Sequence, residues 1–258
     1  MLGVGNDMKN RKIALLQSFR KSDVPAWVSL CQSSVKEYAN ANNWSYMFLD
    51  DQFFNFAPQW ARDKVSANNL CTISDVCRLE WIKSELNNFD IVLWVDIDVL
   101  ILNFSKIRIN FSEDYGFAYE TYFEDGRFFS GLNNSFMFFK KNSKLLDLYL
   151  ELSYRSLQNT SSTEVIERTI IGPSLLRSLD IPAKNIIDGL DILNFGSLLE
   201  ICNHPQHDIP SQFYKKNLKE IGGANLCLNE RSFFVNDHRQ KYDQILYAAA
   251  NLLIQKYS

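Results

Sequence analysis

The chain has little of what marks secreted, membrane-spanning or nucleic-acid-binding proteins. It has only five cysteines in 258 residues, an odd number with no C-x-x-C pair, so neither a disulfide framework nor a zinc site is indicated. The start has no apolar core of a secretory signal, and no apolar run is long enough to span a bilayer. The net charge of −3 gives no basic field for nucleic acid. We therefore predict a cytoplasmic globular protein without a nucleic-acid partner or a transmembrane segment.

The composition and the order of elements indicate an α/β protein. Hydrophobic residues make up 46% of the chain and aromatic residues 14%, enough for a substantial core. A strand at 12–19, a helix from Pro25 and a strand at 44–50 form a β-α-β opening, and a helical connection predicts parallel strands. Because no repeat or linker divides the chain, we expect one domain over residues 1–258.

The alternation of elements continues downstream. A helix capped by Thr72 or Ser74 leads into a strand from Ile91. "YGFAYE" and "NSFMFFK" predict strands on either side of a polar loop, "TYFEDGRFFSGLNN". "SKLLDLYLELSYRSL" predicts a helix, and a helix pair broken at Gly172-Pro173 and a C-terminal helix at 241–257 follow it. Residues 183–237 show no clear pattern.

Two aspartates interrupt the most apolar segment, "IVLWVDIDVLIL". A buried carboxylate without a partner is costly, so Asp96 and Asp98 need a reason to stand there. In an extended chain, residues two positions apart point to one face, where both carboxylates could hold a hard divalent cation. Ligands of open α/β sheets also bind at the carboxyl ends of strands. The alternative is a solvated loop, with a separate element from Val99 onward.

The preceding helix carries a second charged pair, in "SDVCR". Asp75 and Arg78 are three positions apart and share a helical face, so both could point at a bound ligand. The alternative is an ordinary surface ion pair in the first helical turn, which would contribute little.

Together, "SDVCRLEWIKSELNNFDIVLWVDIDVLI" resembles the nucleotide-sugar core of retaining glycosyltransferases with the GT-A fold. Family 32, which includes the capsular transferases, has a Ser-Asp-x-x-Arg helix before a strand ending in Asp-x-Asp, and family 8 has a similar helix and strand end. "NNSFMFFKKNSKLLDLYLEL", "TIIGPSLL" and "VNDHRQ" resemble later segments of family 32. The chain departs from that family at "FDIVLW", which replaces Gly-Gly-Ile-Tyr, and at Ile171, which replaces a threonine.

The resemblance implies a GT-A, Rossmann-like fold with a mixed, mainly parallel sheet flanked by helices. It implies a donor-nucleotide half at about 12–102, an acceptor half at about 103–240 and a C-terminal helix at 241–257. It also implies a Mn²⁺ or Mg²⁺ cofactor, ligated by Asp98, by Asp96 (which could instead bind the ribose) and by His238.

The resemblance implies further roles on the donor side. Asp75 and Arg78 would hold sugar hydroxyls or neutralise the diphosphate, and they count with Asn134 as catalytic residues. Asn133 and Asn134 would line the donor-sugar or acceptor pocket. The end of the first strand, at Gln17, would contact the nucleotide base.

These residues predict a metal-dependent glycosyltransferase that uses a nucleotide-sugar donor, with UDP-sugars favoured, and a glycan or glycolipid acceptor. Retention is implied by the resemblance, whereas inversion would need a base such as Glu120, Glu124 or Asp125. The aromatic segment "ETYFEDGRFFSG" is either an acceptor lid or part of the core.

Two other functions stay open on the residues alone. A haloacid-dehalogenase-like phosphatase would use Asp96 as its nucleophile, and a non-catalytic protein would only bind nucleotide-sugars or carbohydrate. The C-terminal helix adds two hypotheses about partners, a peripheral contact with the inner face of the membrane and a homodimer interface.

Overall fold

The computed structural model describes residues 10–65, 69–124, 127–160, 166–167, 169–205, 221–228 and 236–258. The strands are β1 (Ile13–Ser18), β2 (Ser45–Leu49), β3 (Ile91–Val95), β4 (Val99–Ile101), β5 (Tyr115–Glu124), β6 (Arg127–Lys140), β7 (Ile186–Ile187), β8 (Leu190–Ile192) and β9 (Gly223–Asn225). The α-helices are α1 (Ala26–Ala41), α2 (Gln59–Lys64), α3 (Leu70–Glu85), α4 (Lys144–Asn159), α5 (Pro173–Ser178), α6 (Phe195–Asn203) and α7 (Asn236–Tyr257).

The larger sheet has the strand order β2-β1-β3-β6-β5-β7. β1 is parallel to β2 and β3, and β7 is parallel to β5, whereas β6 is antiparallel to both of its neighbours. The predicted β-α-β opening and the mixed sheet flanked by helices are therefore confirmed.

The strand β3 lies inside this sheet and is buried along its whole length. Val92 and Trp94 pack into a cluster with α3 and α4. Ile91, Leu93 and Val95 pack into a second cluster, which includes α1. Because both faces of the strand are covered by apolar layers, its sequence is continuously apolar rather than alternating.

The second half of the apolar segment forms a different strand, β4, which belongs to a smaller sheet of order β4-β9-β8. β4 is antiparallel to β9, and β9 is parallel to β8. The segment that begins at Ile91 is therefore two strands in two sheets, joined by the turn that carries Asp96 and Asp98. The smaller sheet was not predicted.

The predicted polar loop between β5 and β6 is wrong. The two strands form one long antiparallel hairpin, paired from Tyr115 and Phe139 to Glu124 and Arg127. The aromatic residues of this segment are good strand formers, and their β-propensity prevails over the polar residues between them. A shift in register after Phe117 marks where the hairpin passes the candidate site.

The predicted caps of α3 are also wrong. The helix begins at Leu70, after Asn69. Thr72 lies inside it and donates a hydrogen bond to Asn69 Oδ1 at 3.0 Å, and Ser74 donates to the Leu70 carbonyl at 2.7 Å. Both hydroxyls are therefore used within the first turns rather than as caps.

Two helix predictions are confirmed, and a third is confirmed in part. The helix α4 is as expected, and α7 starts earlier than predicted and packs on α1 and α6 through Tyr242 and Leu246. α5 starts directly after Gly172, but the predicted partner helix is not seen: half of its segment lies outside the described residues, and residues 166–167 and 169–171 are not helical. No helix in the described ranges is both long and apolar enough to cross a membrane.

Candidate active site

The two aspartates lie in a tight turn at the carboxyl end of β3. The Asp96 carbonyl accepts a hydrogen bond from the Val99 amide at 3.1 Å, so the predicted extended conformation is wrong. The alternative is correct that a separate element begins at Val99, but its solvated loop is wrong. Asp98 is only 8% exposed, and its Oδ2 accepts from the Leu228 amide at 2.7 Å. The turn therefore holds both carboxyl groups at the junction of the two sheets.

Neighbouring strands fix this turn through its backbone. The Asp96 amide donates to the Ser135 carbonyl at 2.6 Å, and its carbonyl accepts from Gln17 Nε2 at 3.1 Å. Gln17 is fully buried, and its Oε1 accepts from the Tyr46 hydroxyl at 2.9 Å. The structure thus places Gln17 behind Tyr46 and the Asp96 backbone, not at a surface where a base could stack.

Arg78 joins the helix α3 to the turn. Its guanidinium lies between two carboxylates, with Nη2 3.2 Å from Asp75 Oδ1 and Nη1 3.0 Å from Asp96 Oδ1. It also donates to the Asn134 carbonyl at 3.1 Å and lies over the Trp94 ring, 5.0 Å from the ring centroid. Asp75 and Arg78 are both buried, so the surface-pair alternative is wrong.

The strand β6 supplies the two asparagines. The side-chain amide of Asn134 donates to Asp75 Oδ1 at 2.8 Å, within the buried network. Asn133 is half-buried, and its Oδ1 accepts from the Ser135 amide at 2.9 Å. The structure brings four of the predicted catalytic and donor residues into one network, Asp75, Arg78, Asp96 and Asn134. Asn133 directly precedes Asn134 on β6.

The electrostatics of this site favour a bound cation. Burial raises the pKa of Asp75 to about 6, although Arg78 and Asn134 lower it. Burial and the neighbouring Asp96 raise the pKa of Asp98 to about 7. One arginine therefore faces three carboxyl groups in a poorly hydrated region, and a second positive charge would stabilise their ionised forms.

Sequence reasoning missed the setting of Glu120, which it considered only as a catalytic base in a loop. Glu120 lies on β5 and is 2% exposed. One carboxyl oxygen accepts from the Ser135 hydroxyl, and Oε2 is buried with no hydrogen-bond partner in the described part of the chain. Burial, together with Asp96, Asp191 and Asp98, raises its pKa to about 8. The burial of Glu120 could not be predicted, because a polar residue in a strand can lie on either the buried or the exposed face of its sheet.

The burial of Glu120 gives a pH-dependent prediction. Its pKa is about 8 in the folded state and about 4.3 in an unfolded chain. The stability it contributes is therefore present below the unfolded pKa and is lost as the pH rises through the folded one. We expect Glu120→Gln to stabilise the protein by roughly 2–4 kcal/mol more at pH 9 than at pH 5, measured by urea unfolding.

The control for this prediction is Glu151→Gln. Glu151 is an exposed residue of α4, 2.5 Å from Arg155, so its replacement should have little effect at either pH. Equal effects of Glu120→Gln at pH 5 and pH 9 would contradict the assignment of a buried, protonated Glu120.

The predicted three-residue metal set is not assembled. Within the described ranges, no group of three or more His, Cys, Asp and Glu side chains is arranged to hold a metal ion. His238 is exposed in the first turn of α7. Asp96 and Asp98 still offer two hard oxygen donors beside one arginine, which suits a Mg²⁺ or Mn²⁺ ion whose other ligands are substrate oxygens and waters.

A shallow depression of about 340 Å³ lies beyond the carboxyl ends of β1 and β2, on the same side of the sheet as the turn. Arg20, Gln32 and Phe48 are among its lining residues. Burial raises the pKa of Tyr46, and the nearby Gln32 side chain lowers it. The Tyr46 hydroxyl donates to Gln17, which donates to the Asp96 carbonyl, so these side chains lie between the depression and the Asp96 backbone.

Comparisons with known proteins bear on the fold alone. No protein-family model and no curated sequence matches the chain. One similar solved structure is a glycosyltransferase involved in the glycosylation of the major capsid of PBCV-1. Its TM-score is 0.50 at 14% identity, and the match covers 91% of this chain and 98% of that chain. A second, A197 from STIV, has a TM-score of 0.30 at 14% identity and covers 67% of this chain and 80% of that chain, too distant to carry an argument.

Proposed function

From the GT-A-like fold described above, we propose that this protein is a metal-dependent glycosyltransferase. It would move a sugar from a nucleotide-diphosphate donor, with UDP-sugars favoured, to a glycan or glycolipid acceptor. One observation carries the proposal: in this fold, the buried turn with Asp96 and Asp98 lies at the carboxyl end of β3, in contact with Arg78. Ligands of such sheets bind at that edge. Membership of family 32 or family 8 stays a prediction.

The donor phosphates belong at the acidic turn. Asp96 and Asp98 would hold Mn²⁺ or Mg²⁺, which neutralises the negative charge that develops on the departing diphosphate. The burial of Asp98 supports this role, because a carboxylate held without a cation partner at 8% exposure is stabilised once an ion is bound. His238 as a third ligand stays a prediction; the exposed position of its ring requires α7 or the ring to move.

The nucleoside belongs in the depression beyond β1 and β2. Its polar and aromatic lining, with Gln32 and Phe48, can hydrogen-bond and stack on a base. Gln17 would act through Tyr46 and the Asp96 backbone, since it is fully buried. Because β1, β2 and β3 are parallel, the depression and the turn lie at the same edge of the sheet, so the base and the phosphates would bind next to each other.

The donor sugar belongs beside Asp75 and Asn134. Their carboxylate and amide offer acceptors and donors for sugar hydroxyls, and Arg78 adds positive charge between the sugar and the diphosphate. Asn133 directly precedes Asn134 on β6 and is half-buried. Arg78 also forms ion pairs with both Asp75 and Asp96, so it connects the proposed sugar subsite to the proposed phosphate subsite.

Retention of configuration is the proposed stereochemical course. An inverting enzyme needs a base that reaches the acceptor hydroxyl, and the carboxyl group of Glu120 is buried. The Glu124 side chain and Asp125 lie outside the described part of the chain. In a retaining reaction, the departing phosphate can accept the proton of the acceptor hydroxyl on the same face of the sugar.

The phosphatase alternative has less support. Its nucleophile would be Asp96, but Oδ1 of that residue accepts from Trp94 Nε1 at 2.6 Å and pairs with Arg78. A non-catalytic sugar-nucleotide-binding protein would keep the same contacts and would lack turnover.

Turnover of sugar nucleotides tests the proposal. With Mn²⁺ present, the protein should release nucleoside diphosphate from one member of a panel of UDP-glucose, UDP-galactose, UDP-N-acetylglucosamine and GDP-mannose. The anomeric configuration of the product, read by proton NMR, should match that of the donor. Hydrolysis of p-nitrophenyl phosphate without any release from the panel would favour the phosphatase, and binding without release would favour the binding protein.

A further inference from the structure

Two residues to which sequence reasoning assigned no role, Gly172 and Tyr149, lie next to the buried Asp75–Asn134 pair. We infer that Gly172 and Tyr149 are positioning residues, which fix this pair where the donor sugar binds and do not affect the binding of the nucleoside diphosphate. The inference rests on the proposed function, because it takes Asp75 and Asn134 to contact the sugar.

Gly172 lies so close to the pair that any side chain at this position would press against it. A Cβ at this position would lie 3.0 Å from Asp75 Oδ2 and 3.2 Å from both Asn134 Nδ2 and Oδ1. Burial raises the pKa of Asp75, whereas the nearby Gly172 backbone lowers it. The Gly172 backbone is not in the left-handed region, so the reason for a glycine here is the close approach. The backbone thus forms a wall against both polar groups of the pair.

Tyr149 holds that wall in place from α4. Its side chain is completely buried, and its hydroxyl donates to the Ile171 carbonyl at 2.9 Å. Burial raises the pKa of this hydroxyl, and the nearby Asn134 side chain lowers it. Its ring packs edge-on against Phe117, with centroids 6.1 Å apart. The phenol therefore anchors the 171–172 turn, whose Gly172 lies against the amide of Asn134.

The turn itself has limited freedom on its other side. Pro173 follows Gly172 and forms the first residue of α5, where its fixed φ restrains the backbone. Asp75 and Asn134 therefore meet a rigid wall on one side and Arg78 on the other. The Asp98 carboxyl group instead accepts from the Leu228 amide, so a substitution at Gly172 or Tyr149 should reach the proposed metal ligands only indirectly, through Arg78.

The test compares Gly172→Ala and Tyr149→Phe with a matched control, Gly131→Ala. A Cβ at Gly131 is equally close to its neighbour, 3.0 Å from Arg177 Nε. That neighbour is an exposed, flexible side chain that can move away. The measurements are the Kd of UDP with Mn²⁺ by calorimetry, the kcat and KM for nucleotide release from the best donor of the panel, and hydrogen exchange of the Asn134 side-chain amide by NMR.

Gly172→Ala should lower kcat/KM for the sugar nucleotide by about tenfold or more, with the Kd of UDP within about twofold of wild type. Tyr149→Phe should shift kcat/KM in the same direction by about threefold or more, and it keeps the test decisive if Gly172→Ala does not fold. Both variants should speed exchange of the Asn134 amide. Gly131→Ala should match wild type in all three measurements.

Two results would overturn this inference in distinguishable ways. In the first, wild type binds UDP with Mn²⁺ and turns over a donor, but the folded variants keep the wild-type kcat/KM or lose UDP affinity by the same factor as kcat/KM. The positioning role is then wrong and the proposed function stands. If wild type binds no nucleoside diphosphate and turns over no donor, the proposed function fails and this inference fails with it.

Discussion

Replacement of Arg78 by alanine should destabilise the protein by about 3–5 kcal/mol, because it leaves buried carboxylates without their cation. Arg78 is 8% exposed and lies 3.2 Å from Asp75 and 3.0 Å from Asp96. The same change should abolish sugar-nucleotide turnover, since the network that joins the proposed sugar and phosphate subsites is lost. Urea unfolding at pH 7.5 and the nucleotide-release assay measure the two effects.

The control for this prediction is a lysine on the same helix. Lys83 lies 2.7 Å from Asp147, but the two side chains are 52% and 66% exposed. Lys83→Ala should therefore change stability by less than about 1 kcal/mol and leave turnover intact. Equal costs for Arg78→Ala and Lys83→Ala would show that Arg78 is not the buried cation on which the site depends.

The second large effect is expected at Asp98, where stability and binding should change in opposite directions. Burial and Asp96 raise the pKa of Asp98 to about 7 in the metal-free protein. A raised carboxyl pKa means that stability is lost as the pH rises through it. Asp98→Asn removes this charge, and its amide oxygen can still accept from Leu228. The metal-free variant should therefore be at least as stable as wild type at pH 8.

Binding should show the reverse. Asp98→Asn should lower the affinity for nucleoside diphosphate in the presence of Mn²⁺ by at least about 100-fold, because a proposed anionic ligand of the metal is lost. Asp147→Asn, on the exposed face of α4, is the control and should bind as wild type does. A destabilised Asp98→Asn protein with unchanged nucleotide affinity would mean that Asp98 is a structural residue.

The sequence contained the signals for the parts of this fold that depend on local periodicity. The alternation of β1, α1 and β2, and the apolar run of β3, follow from hydrophobic spacing. The Asp75 and Arg78 pair was found because three positions along a helix place two side chains on one face. Their burial, which decides between a functional network and a surface pair, depends on β6 and could not be read from α3 alone.

Other features depend on contacts between distant segments. The smaller sheet contains β9, whose three residues, Gly223 to Asn225, have no hydrophobic pattern and are buried by their neighbours. Only the outer part of the β5–β6 hairpin was predicted as a loop, because polar residues interrupt its aromatic ones. Nothing in the sequence indicated that Glu120 is buried. The roles inferred for Tyr149 and Gly172 come from a phenol and a backbone that meet the site from α4 and the turn before α5, a proximity with no sequence signature.

Calorimetric titration of UDP, then GDP and CMP, each with Mn²⁺ and with the ion removed by chelation, tests the central claim most directly. The account predicts that wild type binds one of these nucleotides, that binding requires the ion, and that Asp98→Asn abolishes it while Asp147→Asn does not. Absence of binding to all three nucleotides, or binding that is the same with and without Mn²⁺, would contradict a metal-dependent glycosyltransferase.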